Sequence, residues 1–263
     1  MSKLKIIEAN PENLKEFGMC GYKNPKIEGF QRKIKWTQER MKEGMRYNVL
    51  YSEEKGAVGA IEYIPGDYAW RPVNAKKYMF IHCLFILPKN LKGKGFGQML
   101  LDSCIEDTKN QNMLGVAVVT RKGTWMASRD LFIKNGFVIA DSAKPDFELL
   151  FKSFNNNAEP PTFNDNCKKR ASKYAKGLFL ITSDQCPYTT KAISEISETA
   201  VKEYKIKPTI IELKNYTDAQ NSPSAFGTFC ILYNGLLVAE NPISNTRFKN
   251  IMNKQLSIDK KNN

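Results

Sequence analysis

Three glycines and two lysines fall within six residues in the sequence Lys92-Gly93-Lys94-Gly95-Phe96-Gly97. The run Tyr78 to Leu87 before it is aromatic and β-branched and predicts a buried strand, and Gly97 to Lys109 after it predicts an amphipathic helix. Backbone N–H groups at a helix start bind phosphate oxygens, and the two lysines add positive charge there. The loop therefore predicts a phosphate site, although a glycine-rich turn without a ligand has the same composition.

Two common phosphate-binding motifs do not match this loop. A P-loop ends in Gly-Lys-Ser/Thr, whereas this one ends in Gly97-Gln98. A dinucleotide fingerprint that starts at Gly93 or Gly95 would need its third glycine at Gln98 or Leu100. Neither nucleotide-binding class is predicted.

Two side chains upstream of the loop are candidates for accepting a proton. Glu62 lies on the predicted strand Ala57 to Ile64 among apolar neighbours, a setting that raises the pKa of a carboxyl group. His82, the one histidine of the chain, lies on the strand before the loop and has an ordinary pKa near neutrality. Alternatively, Glu62 is a solvated strand carboxylate and His82 a core histidine satisfied by one hydrogen bond.

The stretch Tyr63 to Pro72 follows a strand and is rich in aromatic and turn residues. Loops on a rigid scaffold commonly carry recognition. Trp70 and Arg71 are therefore predicted to form a wall for a substrate, and the alternative is that they cap the core.

Cys186 stands between the predicted strand Leu178 to Thr182 and the predicted helix Pro187 to Tyr204. A helix N-terminus favours the thiolate and lowers the pKa of a cysteine. Cys186 is therefore a candidate redox residue.

A polar segment, residues 155–177, divides the elements that hold these residues. It contains three consecutive Asn and the pair Pro160-Pro161, and it predicts a linker whose basic part, Lys168 to Lys176, forms a short helix. Helices and strands alternate in residues 1–154, whereas residues 178–263 follow the order βαβ and then ββα, with a hairpin at Asn234-Gly235. The fold class predicted is α/β (α+β), with a mixed sheet domain followed by a smaller one.

Composition restricts the partners of this 263-residue chain. The net charge of +13 comes from 25 basic and 17 acidic residues in 1–154 and from 15 and 10 in the remainder, so no basic tail points to nucleic acid. No apolar run is long enough to cross a membrane, and no secretory signal is visible, so a cytoplasmic protein is expected. Neither a C-x-x-C pair nor a Cys/His cluster occurs, and no metal site is predicted.

Two motifs in residues 3–154 resemble those of the GNAT family of N-acetyltransferases. Lys92-x-x-Gly95-x-Gly97 is similar to the family's Gln/Arg-x-x-Gly-x-Gly/Ala, with Lys at the first place, and residues 130–137 (DLFIKNGF) are similar to its Leu-Tyr-x-Lys-x-Gly-Phe. The resemblance implies that acetyl passes from acetyl-CoA to a small-molecule or peptide amine. It also implies that the CoA pyrophosphate lies on the residues from Lys92 to Gln98, and that the pantetheine pairs with the backbone at Phe85, Ile86 and Leu87.

One position departs from the family pattern. Phe132 stands where the family often has a tyrosine that protonates the leaving thiolate, and a phenyl ring cannot donate a proton. Tyr63 and Tyr78 are possible substitutes. Water could also serve, or the thiolate could leave without assistance.

The second part of the chain resembles the thioredoxin superfamily over residues 178–254. Cys186-Pro187-Tyr188-Thr189 is similar to the Cys-Pro-Tyr start of that active site, but Thr189 replaces the second cysteine, and Gly227 replaces the cis-proline. A single-thiol module, or a module kept for binding or packing, is implied. The order of the two domains resembles the bacterial YoaP-type acetyltransferases.

Two functions follow from these features. The first is an acetyl-CoA-dependent N-acetyltransferase in which the amine attacks the thioester directly. The alternative is an inactive acyl-CoA-binding protein with a redox or binding module, which Phe132 and Cys186 would favour. DNA binding has only the net charge behind it.

Overall fold

The computed structural model describes residues 4–123, 125–164 and 167–262. Of the predicted linker, Asp165 and Asn166 lie outside the described residues, as do residues 1–3 and 263 at the ends. The strands are β1 (Leu4–Ala9), β2 (Arg46–Ser52), β3 (Gly56–Pro65), β4 (Val73–Asn74), β5 (Tyr78–Ile86), β6 (Gly115–Arg121), β7 (Val138–Ala143), β8 (Phe147–Ser153), β9 (Thr162–Phe163), β10 (Leu178–Thr182), β11 (Thr209–Glu212), β12 (Phe229–Tyr233) and β13 (Leu236–Ala239). The α-helices are α1 (Glu28–Met41), α2 (Phe96–Asn110), α3 (Arg129–Lys134), α4 (Cys167–Ala171), α5 (Tyr188–Tyr204), α6 (Tyr216–Gln220) and α7 (Asn245–Asn262).

The first domain is built on a seven-stranded sheet with the order β1-β2-β3-β5-β6-β8-β7. Its pairs are antiparallel except β5 with β6, which are parallel and connected through α2. Alternate residues of β5 face opposite sides, as the period of a strand requires. Met79 and Ile81 pack towards α2, and Tyr78 and Phe80 pack towards the second domain.

The parallel pairing of β5 with β6 stops halfway along both strands. The register ends at Ile81 opposite Val118, although β5 continues to Ile86 and β6 to Arg121. A shift of register in the β3–β5 pairing lies at the same level, because Glu62 pairs with Cys83 and Tyr63 with Ile81, which leaves His82 as the extra residue of a bulge. Beyond this level the edge of β5 that faces β6 has no partner strand in the described part of the chain.

The second domain is a four-stranded sheet with the order β11-β10-β12-β13. Strands β10 and β11 are parallel and joined by α5, and β12 and β13 form the antiparallel hairpin that Asn234-Gly235 predicts. Both turn residues have positive φ, 48° and 78°, as a two-residue hairpin loop of this type requires.

The two domains share one hydrophobic core. Phe80 and Phe147 of the first sheet belong to the same buried cluster as Phe229 and Phe248 of the second domain. The predicted linker is also attached to the first domain, because β9 pairs with β4. No helix in residues 4–123, 125–164 and 167–262 is long and apolar enough to cross a membrane.

Candidate functional site

The Lys92–Gly97 loop is exposed at its first four residues and leaves space for an anion beside its backbone. Gly93 and Gly95 have φ values of 76° and 82°, and a Cβ added at either would meet no heavy atom within 4 Å. The first bond of α2 runs from the Met99 N–H to the Gly95 oxygen at 3.1 Å, so the N–H groups of residues 96–98 precede the helical ladder. Lys92 and Lys94 are exposed beside them, and the first turn carries no acidic residue.

Phe85 and Ile86 lie on β5 beyond the point where β6 leaves it, and Leu87 follows directly. Their other side is held by β3, through the pairs Phe85 with Ala60 and Ile86 with Gly59, and through the Leu87 N–H to the Val58 oxygen at 2.8 Å. A 3-10 turn, Lys89–Leu91, connects the end of β5 to the glycine loop. An extended ligand with a terminal polyphosphate fits this combination of strand edge and helix start.

Glu62 is buried, with 1% of its side chain exposed, and it is held by three side chains. The fully buried Lys33 of α1 donates to Oε2, Gln185 Nε2 of the second domain donates to Oε1 at 3.1 Å, and His82 Nδ1 lies 3.4 Å from Oε1. Burial alone would raise the pKa of Glu62, but the positive charge of Lys33 and the polar contacts with His82 and Lys33 outweigh it and lower the pKa to about 2. The predicted rise of this pKa is therefore wrong, because Lys33 of α1 lies over the apolar face of the strand and pairs with Glu62.

Only one ring nitrogen of His82 is hydrogen-bonded among the described residues, and the other, Nδ1, lies near Glu62. Its Nε2 accepts the Trp70 N–H at 2.9 Å, which places the ring proton on Nδ1, towards Glu62. Burial lowers the pKa of His82, so the ring is neutral at pH 7. The nitrogen lone pair that a general base would use is occupied by the backbone of Trp70.

Trp70 and Arg71 do not form a surface wall. Trp70 is 0% exposed and packs edge-on against Trp36, with ring centroids 5.1 Å apart. Arg71 is 3% exposed, and its guanidinium donates to the Phe226 oxygen and, at 2.8 Å, to Thr228 Oγ1. The interpretation of this pair as a substrate wall is corrected: both residues are enclosed at the contact between the domains.

A cavity of about 280 Å³ lies on the α1 side of the sheet, between the 17–23 segment and strands β2, β3 and β5. Ala60 and Phe85, which pair across the sheet, form part of its lining, and the next pair on the same face is Glu62 with Cys83. Glu62 and Cys83 are not part of the lining, so the cavity ends one strand pair before Glu62. Sequence reasoning missed it, although the glycines and aromatics of Phe17 to Tyr22 were a usable signal.

The tyrosines considered as proton donors are both committed elsewhere. The Tyr63 hydroxyl donates to Asp107 Oδ2 and accepts from Asn48 Nδ2, each at 3.0 Å, and burial raises its pKa. The Tyr78 hydroxyl donates to the Glu159 oxygen at 2.8 Å. Phe132 is fully buried against Phe137, with ring centroids 5.4 Å apart.

Cys186 lies at the start of α5, as predicted, but the expected activation of its thiol is wrong. Burial raises the pKa of Cys186 to about 11, more than the Tyr188 backbone N–H lowers it. The loop is pressed against α1, since a Cβ on Gly29 would meet the Pro187 oxygen at 2.2 Å. The thiol therefore stays protonated at pH 7 and faces the first domain.

Comparisons with known proteins find one family match in each part of the chain. Residues 12–137 match the acetyltransferase (GNAT) family, and residues 209–250 match a family described as YoaP-like. A Bacillus subtilis (strain 168) protein named uncharacterized N-acetyltransferase YoaP is 29% identical over 94% of this chain and 98% of its own length.

Two solved structures similar to this chain each cover 58% of it. An acetyltransferase of the GNAT family from Staphylococcus aureus Mu50 is 21% identical over 58% of this chain and all of its own, with a TM-score of 0.44. The PaiA N-acetyltransferase from Thermoplasma acidophilum, in complex with coenzyme A, is 17% identical over 58% of this chain and 99% of its own, with a TM-score of 0.41.

Proposed function

We propose that this chain, an acetyl-CoA-dependent enzyme with a GNAT acetyltransferase domain and a YoaP-like domain, moves acetyl to a primary amine by direct attack. The observation that carries the proposal is the gap between β5 and β6, which ends at the open helix start of Lys92–Gly97.

We divide the chain into an acetyltransferase domain (1–154), a linker (155–177) and a thioredoxin-like domain (178–263). The strand order β11-β10-β12-β13, with α5 and α7 around it, supports the last assignment.

Acetyl-CoA would lie with its pyrophosphate on the N–H groups and lysines of the 92–98 segment and with its pantetheine along Phe85 to Leu87. A positive helix end and two exposed lysines suit the diphosphate charge. Bound this way, the pantetheine would pass Phe85 and Leu87, which also line the cavity, and the thioester would lie towards the bulge at His82.

The acceptor would enter through the cavity and attack the thioester carbonyl. The amine nitrogen forms a bond to the carbonyl carbon, the carbon–sulfur bond breaks, and the sulfur leaves as the CoA thiolate. The amine loses one proton, and the thiolate takes one up. Since Phe132, Tyr63 and Tyr78 offer no free hydroxyl, we propose that water protonates the thiolate.

Glu62 and His82 remain our candidates for handling the proton of the amine. With a pKa of about 2, Glu62 attracts an ammonium group but holds a proton poorly at pH 7. The neutral ring of His82 could accept a proton only after giving up the Trp70 N–H. We propose that Glu62 holds the amine and the ring of His82 next to the thioester, and the kcat of a folded variant without the carboxylate tests this role.

The alternative function, an inactive acyl-CoA-binding protein with a redox module, has less support. Its thiol at Cys186 has a raised pKa and faces the first domain. Thiolates, not thiols, are the nucleophiles of redox chemistry. A thiol pKa near or below 7 by titration would revive this function.

Binding of acetyl-CoA tests the placement of the donor. Gly95→Val puts a side chain where the phosphates would lie and strains a backbone with φ of 82°, so binding measured by calorimetry is expected to weaken at least tenfold. Gly177→Val is the matched control, because Gly177 also has positive φ, 103°, but lies before β10. Equal binding by the two variants, or no binding by the wild type, would overturn the proposal.

A further inference from the structure

We propose, on the premise of the acetyl transfer above, that the acceptor is a small amine with an apolar or aromatic body that also carries an anionic group. Two features of the cavity carry this inference: the apolar character of its walls and the sign of the charges at its mouth. A third feature, contact with the second domain, fixes the shape of one wall.

The walls of the cavity are mainly apolar. Aromatic rings from three elements line it: Phe17 and Tyr22 from the segment before α1, Tyr47 from β2 and Phe85 from β5. Its volume of about 280 Å³ is at the lower end of ligand pockets, which span about 300–1,000 Å³. One ring or one aliphatic side chain fills such a space, and an extended peptide or a long polyamine does not fit inside it.

The charges at the mouth are positive. Lys23 and Lys55 line the cavity and are exposed, and no Asp or Glu is among the described residues of the lining. Glu62 is not part of the lining, and its buried carboxylate is already paired with the buried Lys33. Apolar walls with two exposed lysines match an acceptor whose apolar body lies inside the cavity and whose carboxylate or similar anion lies near the lysines. A polyamine would place its distal cations against the two lysines.

The second domain holds the wall that contains Tyr22. The Tyr188 hydroxyl donates to the Cys20 oxygen at 2.9 Å, and the ring of Tyr188 lies 4.9 Å from that of Tyr22 and 5.8 Å from that of Trp125. Tyr188 and Trp125 are 39% and 40% exposed. The three rings, from separate parts of the chain, extend the apolar wall outwards, and Tyr188 is a positioning residue for the acceptor.

Two amines that differ only in a carboxylate test the anionic group directly. L-Phenylalanine and 2-phenylethylamine are compared as acceptors with acetyl-CoA, and spermidine is added as a polyamine, with product mass as the readout. We expect a kcat/KM order of phenylalanine, then phenylethylamine, then spermidine. A preference for spermidine or for phenylethylamine would overturn the inference and leave acetyl transfer standing.

Lysine variants locate the anionic group. Lys23→Gln and Lys55→Gln are each expected to raise the KM for phenylalanine about two- to fivefold, the range for an exposed ion pair, and to leave that for phenylethylamine unchanged. Lys76→Gln, an exposed lysine outside the cavity lining, is the matched control. A raised KM for acetyl-CoA in the lysine variants would instead assign Lys23 and Lys55 to the donor and overturn the inference.

Tyr188→Ala tests the contribution of the second domain. It is expected to raise the KM for phenylalanine with little change in that for acetyl-CoA, and Tyr188→Phe, which keeps the ring, should recover most of the loss. Equal KM values for all three proteins would remove Tyr188 from the site.

Direct binding separates this inference from the proposed function. If none of the amines is acetylated although acetyl-CoA binds, acetyl transfer to amines of these classes fails. Titration of the protein–CoA complex with phenylalanine and phenylethylamine still decides the inference, because tighter binding of phenylalanine that Lys23→Gln weakens would support it. Equal or weaker binding of phenylalanine would contradict it.

Discussion

At the scale of residues, Glu62 illustrates how one partner reverses the effect of burial. The pattern of β3 correctly places Glu62 among apolar neighbours, and burial by itself raises the pKa of a carboxyl group. The partner that reverses this effect, Lys33, is 29 residues away in the sequence, on a helix face where a lysine is expected in solvent. Sequence therefore predicted the placement of Glu62 and could not predict its ionisation.

Removing Lys33 alone should strongly destabilise the protein. Lys33→Met leaves the Glu62 carboxylate buried without its cation, and we expect a loss of about 3–5 kcal/mol in the free energy of unfolding, measured with urea at pH 7. Lys33→Met with Glu62→Gln removes both charges and should recover most of this loss. If the double variant is as unstable as the single one, packing and not charge explains the effect.

The same double variant also measures the catalytic role of Glu62 in a folded protein. A carboxylate that orients the amine should lower kcat about 100-fold or more when it is replaced, while the Kd of acetyl-CoA stays the same. An unchanged kcat would reduce Glu62 to a structural residue between the domains.

Glu240 makes the protein less stable as the pH rises, which is the opposite of the effect of a carboxylate whose pKa is lowered, such as Glu62. Burial raises its pKa to about 7, and Oε2 has no hydrogen-bond partner among the described residues. Because the folded pKa lies above the unfolded one, stability is lost as pH rises from about 4.5 through 7. Glu240→Gln should equal the wild type at pH 4 and exceed it by about 2 kcal/mol at pH 8, allowing for partial exposure. Urea unfolding measures this, with Glu53→Gln on an exposed turn as control; a pH-independent gain would contradict it.

At the scale of elements, periodicity predicted the long segments and missed those that depend on partners. The strand over Tyr78 to Leu87, the helix that follows it and the hairpin at Asn234-Gly235 are confirmed. Strand β7 is less apolar, with only Ile139 and Val138 as large apolar residues, and it forms because β8 offers an edge. The bulge at His82 has no local signature, since it results from the register with β3.

The gap between β5 and β6 is likewise a property of two elements together. Both strands are apolar and continue past the last pair, so nothing in either sequence marks where they separate. The glycine loop was predicted because its requirement is local: Gly93 and Gly95 have φ values that other residues adopt only with strain. Local backbone demands are visible in a sequence, and pairings between distant strands are not.

At the scale of the whole molecule, the second domain contacts the first through two loops, those that contain Cys186 and Gly227. The loop of Cys186 lies on α1, where Arg32 binds Asp184 and Glu212 at 2.7 and 2.6 Å. The loop of Gly227 lies on Trp70 and Arg71. A glycine is required at position 227 because this position makes close contact with the backbone of Trp70 and Arg71.

Gly227→Ala should therefore weaken the contact between the domains. A Cβ at this position would lie 2.7 Å from the Trp70 oxygen and 2.9 Å from the Arg71 Cα, in addition to the strain of a φ of 80°. Gly235→Ala is the matched control, since its φ is 78° and its nearest heavy atom would be 3.6 Å away. Both variants pay the cost of a left-handed residue, about 1–2 kcal/mol, and only Gly227→Ala adds the clash. We expect Gly227→Ala to be at least about 2 kcal/mol less stable than Gly235→Ala in urea unfolding, and to be cleaved faster by protease within residues 155–177.

Because Tyr188 holds the acceptor wall only while the domains are in contact, the same variant should raise the KM for the acceptor more than that for acetyl-CoA. Equal stability and equal KM values in the two variants would mean that the loop of Gly227 does not anchor the second domain.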